Sequence, residues 1–165
     1  MPSLAEWFGT NATAPGASFF RGFNRDGAIS AAPEGSFDTS EITTAGTYFF
    51  QYFNENWLLS SLPEGSFDLS SITGATPSNF FRNFNDWWEL TSLPAWSFDI
   101  SGITKAGTQF FYRFNRAWKL ASLPEGSFDT SSITEVGTYF FGYFNSSGLL
   151  TALPDWSFNT DAITG

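Results

Sequence analysis

The sequence predicts an α/β repeat solenoid of five units, each about 30 residues long with one short helix and a loop or short strand. A mainly α solenoid is the alternative. Three observations carry this. Phe-Phe pairs begin at Phe19, Phe49, Phe80, Phe110 and Phe140, at an interval that changes by a single position, between Phe49 and Phe80. Fixed self-similarity of this kind marks stacked repeats. The apolar residues after each pair recur at helical spacing. And every one of the 21 Phe falls in a repeat column, once Phe8 is placed in phase with Phe37, Phe67, Phe98, Phe128 and Phe158.

The units divide as 3–30, 31–60, 61–91, 92–121 and 122–151, with a half-unit at 152–165, in one solenoid domain spanning 1–165. The third unit carries one extra residue near 74–77. In the second half of each unit, Thr47, Ser78, Thr108 and Thr138 stand where a helix N-cap belongs. Phe49, Phe53 and Trp57 follow at i, i+4 and i+8, and Phe50 widens the stripe. A helix of about ten residues is expected, marginal alone and dependent on its neighbours. In the first half, Pro63 and Gly65 interrupt regular structure, and Leu62, Phe67 and Ile72 are spaced as inward points of extended coil. Short strands are expected at 59–62 and equivalent positions. Units this small bury their apolar faces only by stacking, so a right-handed solenoid is expected, helices on one side and loops on the other.

The stretch 120–144, LASLPEGSFDTSSITEVGTYFFGYF, resembles the BspA-like leucine-rich repeats of bacterial surface proteins. The Leu-Pro turn, Ile133 and Thr134, Gly137 and the aromatic stretch correspond to that family's pattern, and almost the whole chain shares it. The units here are several residues longer, with Phe-Phe where the family has Ala-Phe. The resemblance implies a leucine-rich-repeat-like fold, a cell-surface location, and adhesion or partner binding rather than catalysis.

Composition narrows the chemistry. Of 165 residues, 42% are apolar and 20% aromatic, too many for a disordered tail. Sixteen acids against seven bases leave a net charge of −9, so the chain lacks the basic footprint of a nucleic-acid binder. No run approaches a membrane span. The absence of Cys and His removes disulfides, thiol nucleophiles, the Ser-His-Asp triad and His-ligated metals. No cofactor is expected. Carboxylates are plentiful, but they repeat in every unit, whereas a catalytic pair breaks the repeat. The chain is expected not to be an enzyme.

Four sets of columns remain as candidates. Asn24, Asn54, Asn85, Asn115 and Asn145 follow the third Phe of each unit and are expected to form a structural hydrogen-bonded ladder. Asp38, Asp68, Asp99 and Asp129 each precede a Ser by two, as in an Asx-turn; calcium binding is the alternative, though no D-x-D-x-D-G loop is present. Trp57, Trp88 and Trp118, with Trp87 beside them, either continue the core stripe or form an exposed ring ladder that stacks on sugars or a partner. The residues flanking each Phe-Phe pair vary from unit to unit and hold Arg and Tyr, including Tyr52, Arg82 and Arg113, residue types common at binding hot spots. Protein or glycan partners are expected on this helical face, without nucleic acid or membrane insertion. End-to-end self-association of a purely structural array is the remaining alternative.

Overall fold

A computed structural model describes residues 13–23, 29–32, 36–37, 39–53, 59–64, 66–85, 90–94, 98–116, 120–155 and 158–164. Each turn of chain lies on the equivalent turn one repeat further along. The helix prediction fails. Among the described residues there is no helix, and both the helix-bearing α/β unit and the mainly α alternative are overturned.

The Phe-Phe segments are ladders of turns instead. Alternate amides donate to the next coil: Phe20 N–H to Phe49 O, Phe50 to Phe80, Phe81 to Phe110 and Phe111 to Phe140, each at 2.9 Å. The intervening bonds close locally over three residues, as from Phe53 N–H to Phe50 O and from Phe84 N–H to Phe81 O, both 3.1 Å. An amide shared out in this way is not available for an i−4 helical bond. The supposed N-caps do different work: the carbonyls of Thr47, Ser78, Thr108 and Thr138 accept amides from the preceding coil.

The helical spacing has its own origin here. A residue with positive φ recurs every four positions in each segment: Ser18 and Gly22, Tyr48 and Tyr52, Asn79 and Asn83, Gln109 and Arg113, Tyr139 and Tyr143. Left-handed backbone ends a helix, and two successive turns of this kind repeat side chains at i and i+4 just as a helix does. Residues 47–54 (TYFFQYFN) hold only one strong helix former, Gln51, so propensity offers no resistance.

Short parallel strands carry the rest. β1 (Phe67–Asp68) pairs with β3 (Phe98–Asp99), and β2 (Gly74–Ala75), β4 (Ile103–Ala106) and β5 (Glu135–Val136) form a second sheet in the order β2-β4-β5. Phe67 sits opposite Phe98, and an isolated bridge continues that line from Phe98 to Phe128. The strands expected at 59–62 are not there, although Thr91 N–H donates to Ser60 O of the neighbouring coil. Near the extra residue of the third unit the register shifts between Gly74 and Ala75, which lie opposite Ile103 and Lys105, and Gly74 takes a φ of 80° that its missing Cβ permits.

The core is four columns of stacked rings. The series Phe19–Phe49–Phe80–Phe110–Phe140, Phe20–Phe50–Phe81–Phe111–Phe141 and Phe23–Phe53–Phe84–Phe114–Phe144 come from the turn ladder. The fourth, Phe37–Phe67–Phe98–Phe128–Phe158, comes from the Ser-Phe-Asp segments. Within a column rings lie nearly parallel, as for Phe81 and Phe111 at 5.4 Å and 2°. Between columns they meet edge to face: Phe67 lies 4.9 Å from Phe50 at 72° and 5.3 Å from Phe53 at 86°. Both geometries satisfy the ring quadrupole, adding about 0.5–1.5 kcal/mol per pair beyond burial. Those edge contacts set the Ser-Phe-Asp wall across the core from the Phe-Phe wall.

Close stacking demands glycine at one corner. A Cβ on Gly107 would fall 2.5 Å from Pro77 O, and one on Gly137 2.4 Å from Thr108 N. No real Cβ sits so near backbone atoms.

Candidate binding surface

The two walls differ in charge. Flanking the Phe-Phe pairs are fifteen positions: the residue before each pair and the two after it. They hold Arg21, Arg82 and Arg113 and not one acid, in a chain where acids outnumber bases sixteen to seven. The Ser-Phe-Asp wall opposite carries Asp68, Asp99 and Asp129.

On the basic wall the side chains form a ladder of alternating cations and rings. The Arg21 guanidinium lies 5.5 Å from the Tyr48 ring centre in the next coil. Arg82 lies 5.6 Å from Tyr112. Arg113 lies 5.1 Å from Tyr112 in its own coil and 5.7 Å from Tyr143 in the next. Tyr112 meets Tyr143 edge-on at 5.6 Å and Tyr139 at 6.1 Å. The ladder exists because the turn backbone places equivalent positions one above another, so that residues of neighbouring coils touch.

Of the site residues expected from sequence, Arg82 and Arg113 are brought together around Tyr112 and are half-buried. Tyr52 is half-buried one coil earlier on the same wall, at a φ of 57°. Not every position of the wall is solvated: Gln51 and Asn83 are buried. The sequence places Tyr112, Tyr139 and Tyr143 only among the variable columns. The structure shows them as central, with Tyr139 63% and Tyr143 59% exposed. The signal for them is the offset of one repeat between Arg82 and Tyr112, and between Arg113 and Tyr143.

Arg82 Nη1 donates to Asn79 Oδ1 at 3.4 Å, and the Nε atoms of Arg82 and Arg113 are buried without a hydrogen-bond partner among the described residues. No carboxylate among those residues forms an ion pair with either guanidinium; the ion pair described is Lys105 with Glu135, at 2.6 Å on the β4–β5 face. Tyrosine rings thus flank these two cations, within the range of a cation–π contact, in place of a carboxylate.

The other candidate columns resolve differently. Trp57, Trp87, Trp88 and Trp118 lie outside the described residues, as do Asn24, Asn54 and Asp38. Asn85 and Asn115 are fully buried, and Asn115 Nδ2 donates to Asn145 Oδ1 at 2.8 Å, while Asn145 Nδ2 donates to Leu150 O at 2.8 Å. Asp68, Asp99 and Asp129 each accept the amide and hydroxyl of Ser70, Ser101 and Ser131 on Oδ1, the Asx arrangement. No group of three or more potential metal ligands occurs among the described residues, and no helix among them is long and apolar enough to cross a membrane.

No family model, no curated protein and no solved structure matches this chain.

Proposed function

We propose that this chain is a non-catalytic repeat scaffold that binds a partner through its Phe-Phe wall, work suited to a bacterial surface or adhesion protein. The observation that carries the reading is the Arg82–Tyr112–Arg113–Tyr143 ladder. A rigid aromatic core fixes it, its cations have no carboxylate partner among the described residues, and its outer ring, Tyr143, stands in solvent. Arg and Tyr so held bring large contact area at low entropic cost. The test is a binding screen of the intact chain against protein and glycan arrays, repeated with an Arg82→Ala, Tyr143→Ser double variant. Loss of the hits in the variant supports the wall. Hits unchanged in the variant, but lost on Asp68→Asn, move recognition to the opposite face.

A second reading, self-association, is favoured by one observation. Leu149 and Leu153 are 58% and 56% exposed in the last coil, beside half-buried Phe144 and Phe158. It predicts a mass that rises with concentration and falls back with Leu149→Ser, Leu153→Ser. A constant monomer mass overturns it.

A further inference from the structure

The geometry points to a uronate-bearing polysaccharide as the ligand of the Phe-Phe wall, its carboxylates held by Arg82 and Arg113 and its pyranose faces resting on Tyr139 and Tyr143. This rests on the binding role given to that wall and names the partner's chemistry.

Charge is the first argument. Both guanidiniums flank one ring, Tyr112, at 5.6 and 5.1 Å, and neither has a carboxylate partner among the described residues. Two like charges this close favour an anion, and a polymer with successive anions satisfies both. Geometry is the second. A guanidinium pairs with a planar carboxylate through two parallel hydrogen bonds, and the buried Nε atoms of Arg82 and Arg113 leave that pairing to the terminal nitrogens. Ring exposure is the third. Tyr139 and Tyr143 present open aromatic surface beside the cations, and the axial C–H face of a pyranose is the apolar complement of such a ring.

An acidic peptide is disfavoured by the backbone. Extended peptides gain affinity by adding a strand to an open edge. Along this wall the amides are spent between coils: Asn83 N–H on Tyr112 O, and Arg113 N–H on Gly142 O, both at 2.9 Å. The chain's net charge of −9 favours one carboxylate per sugar over a densely sulfated chain.

The test is calorimetric titration of the intact chain with polygalacturonate, its methyl ester, polyglutamate and dextran sulfate. Expected is binding to polygalacturonate that weakens with added salt and disappears on esterification. Arg113→Lys keeps the charge but loses the planar fork, and is expected to weaken binding about tenfold, the loss of one charge-assisted hydrogen bond. Asp99→Asn on the opposite wall leaves affinity unchanged, and thermal melts of both variants verify folding. Equal binding of the methyl ester overturns the carboxylate contact. Tighter binding of dextran sulfate overturns the choice of uronate. Polyglutamate bound in place of polygalacturonate, with the same Arg113→Lys loss, overturns the glycan while leaving the wall as the binding surface. No binding of any polyanion, with protein-array hits still lost in the Arg82→Ala, Tyr143→Ser variant, overturns the anion proposal alone.

Discussion

The Phe84 and Phe114 rings lie 5.1 Å apart and within 3° of parallel, though a full repeat of chain separates them. Phe53 and Phe144 extend the same stack at 4.9 and 5.4 Å. The rings of Phe53, Phe84 and Phe114 are clamped above and below by their own column and edge-on by the Ser-Phe-Asp column, as Phe84 is by Phe98 at 5.3 Å and 82°. The protein is held together by repetition of one residue type in four registers. The same repetition aligns Arg82, Tyr112, Arg113 and Tyr143 on the outer face of the turn ladder.

Truncating a central ring is therefore costly. Phe84→Ala leaves a ring-sized cavity among fully buried neighbours and is expected to destabilise by about 3–5 kcal/mol. Urea unfolding followed by intrinsic fluorescence measures it. Phe141→Ala, in the half-buried last coil, is expected to cost clearly less; equal costs would argue against a core strongest at its middle.

Gly137→Ala tests the close approach of coils. Its Cβ would lie 2.4 Å from Thr108 N and 2.7 Å from Thr108 Cα, both backbone. The coils must separate locally, so the melting temperature falls sharply. Gly16→Ala, whose Cβ meets nothing within 4 Å, is the control and leaves the melt nearly unchanged.

Gln109→Asn tests the left-handed turn positions. Gln109 has a φ of 59°, and the equivalent residue one coil earlier, Asn79, has 64°. Asn tolerates this region better than Gln, so the substitution is expected to stabilise by up to about 1 kcal/mol. A loss of stability would mean that the segment does not take this backbone.

Much of the architecture is legible in the sequence, and the reasons differ by residue. Phe67, Phe98 and Phe128 stand in register because a fixed repeat in a packed core leaves no other arrangement. Asp99 and Ser101 declare their turn locally, since an Asx pair needs only its own two residues. The backbone of residues 47–53 is the failure. Phe49 and Phe53 at i and i+4 fit a helix and a four-residue turn period equally well. What decides between them is a set of bonds to a coil one repeat away, and local spacing does not contain it. The binding surface is half legible for the same reason. Arg82 and Arg113 stand out by type, whereas Tyr112 gains its place between them only when neighbouring coils stack.

Circular dichroism gives a broad check. The structure predicts a far-ultraviolet spectrum of β and turn character without the helical double minimum. A helical spectrum would restore the helix-bearing unit and remove the ladder on which the Arg and Tyr columns stand.

The most direct measurement is the through-hydrogen-bond scalar coupling of the Asn85 amide by nuclear magnetic resonance. In the coil-to-coil ladder Asn85 N–H donates to Phe114 O at 3.1 Å, so the coupling connects Asn85 nitrogen to the Phe114 carbonyl carbon. A helix would connect it to Phe81, four residues earlier. Coupling to Phe114 verifies that the Phe-Phe segments are rungs joining successive coils. Coupling to Phe81 would contradict the ladder, and with it the alignment of the proposed binding wall.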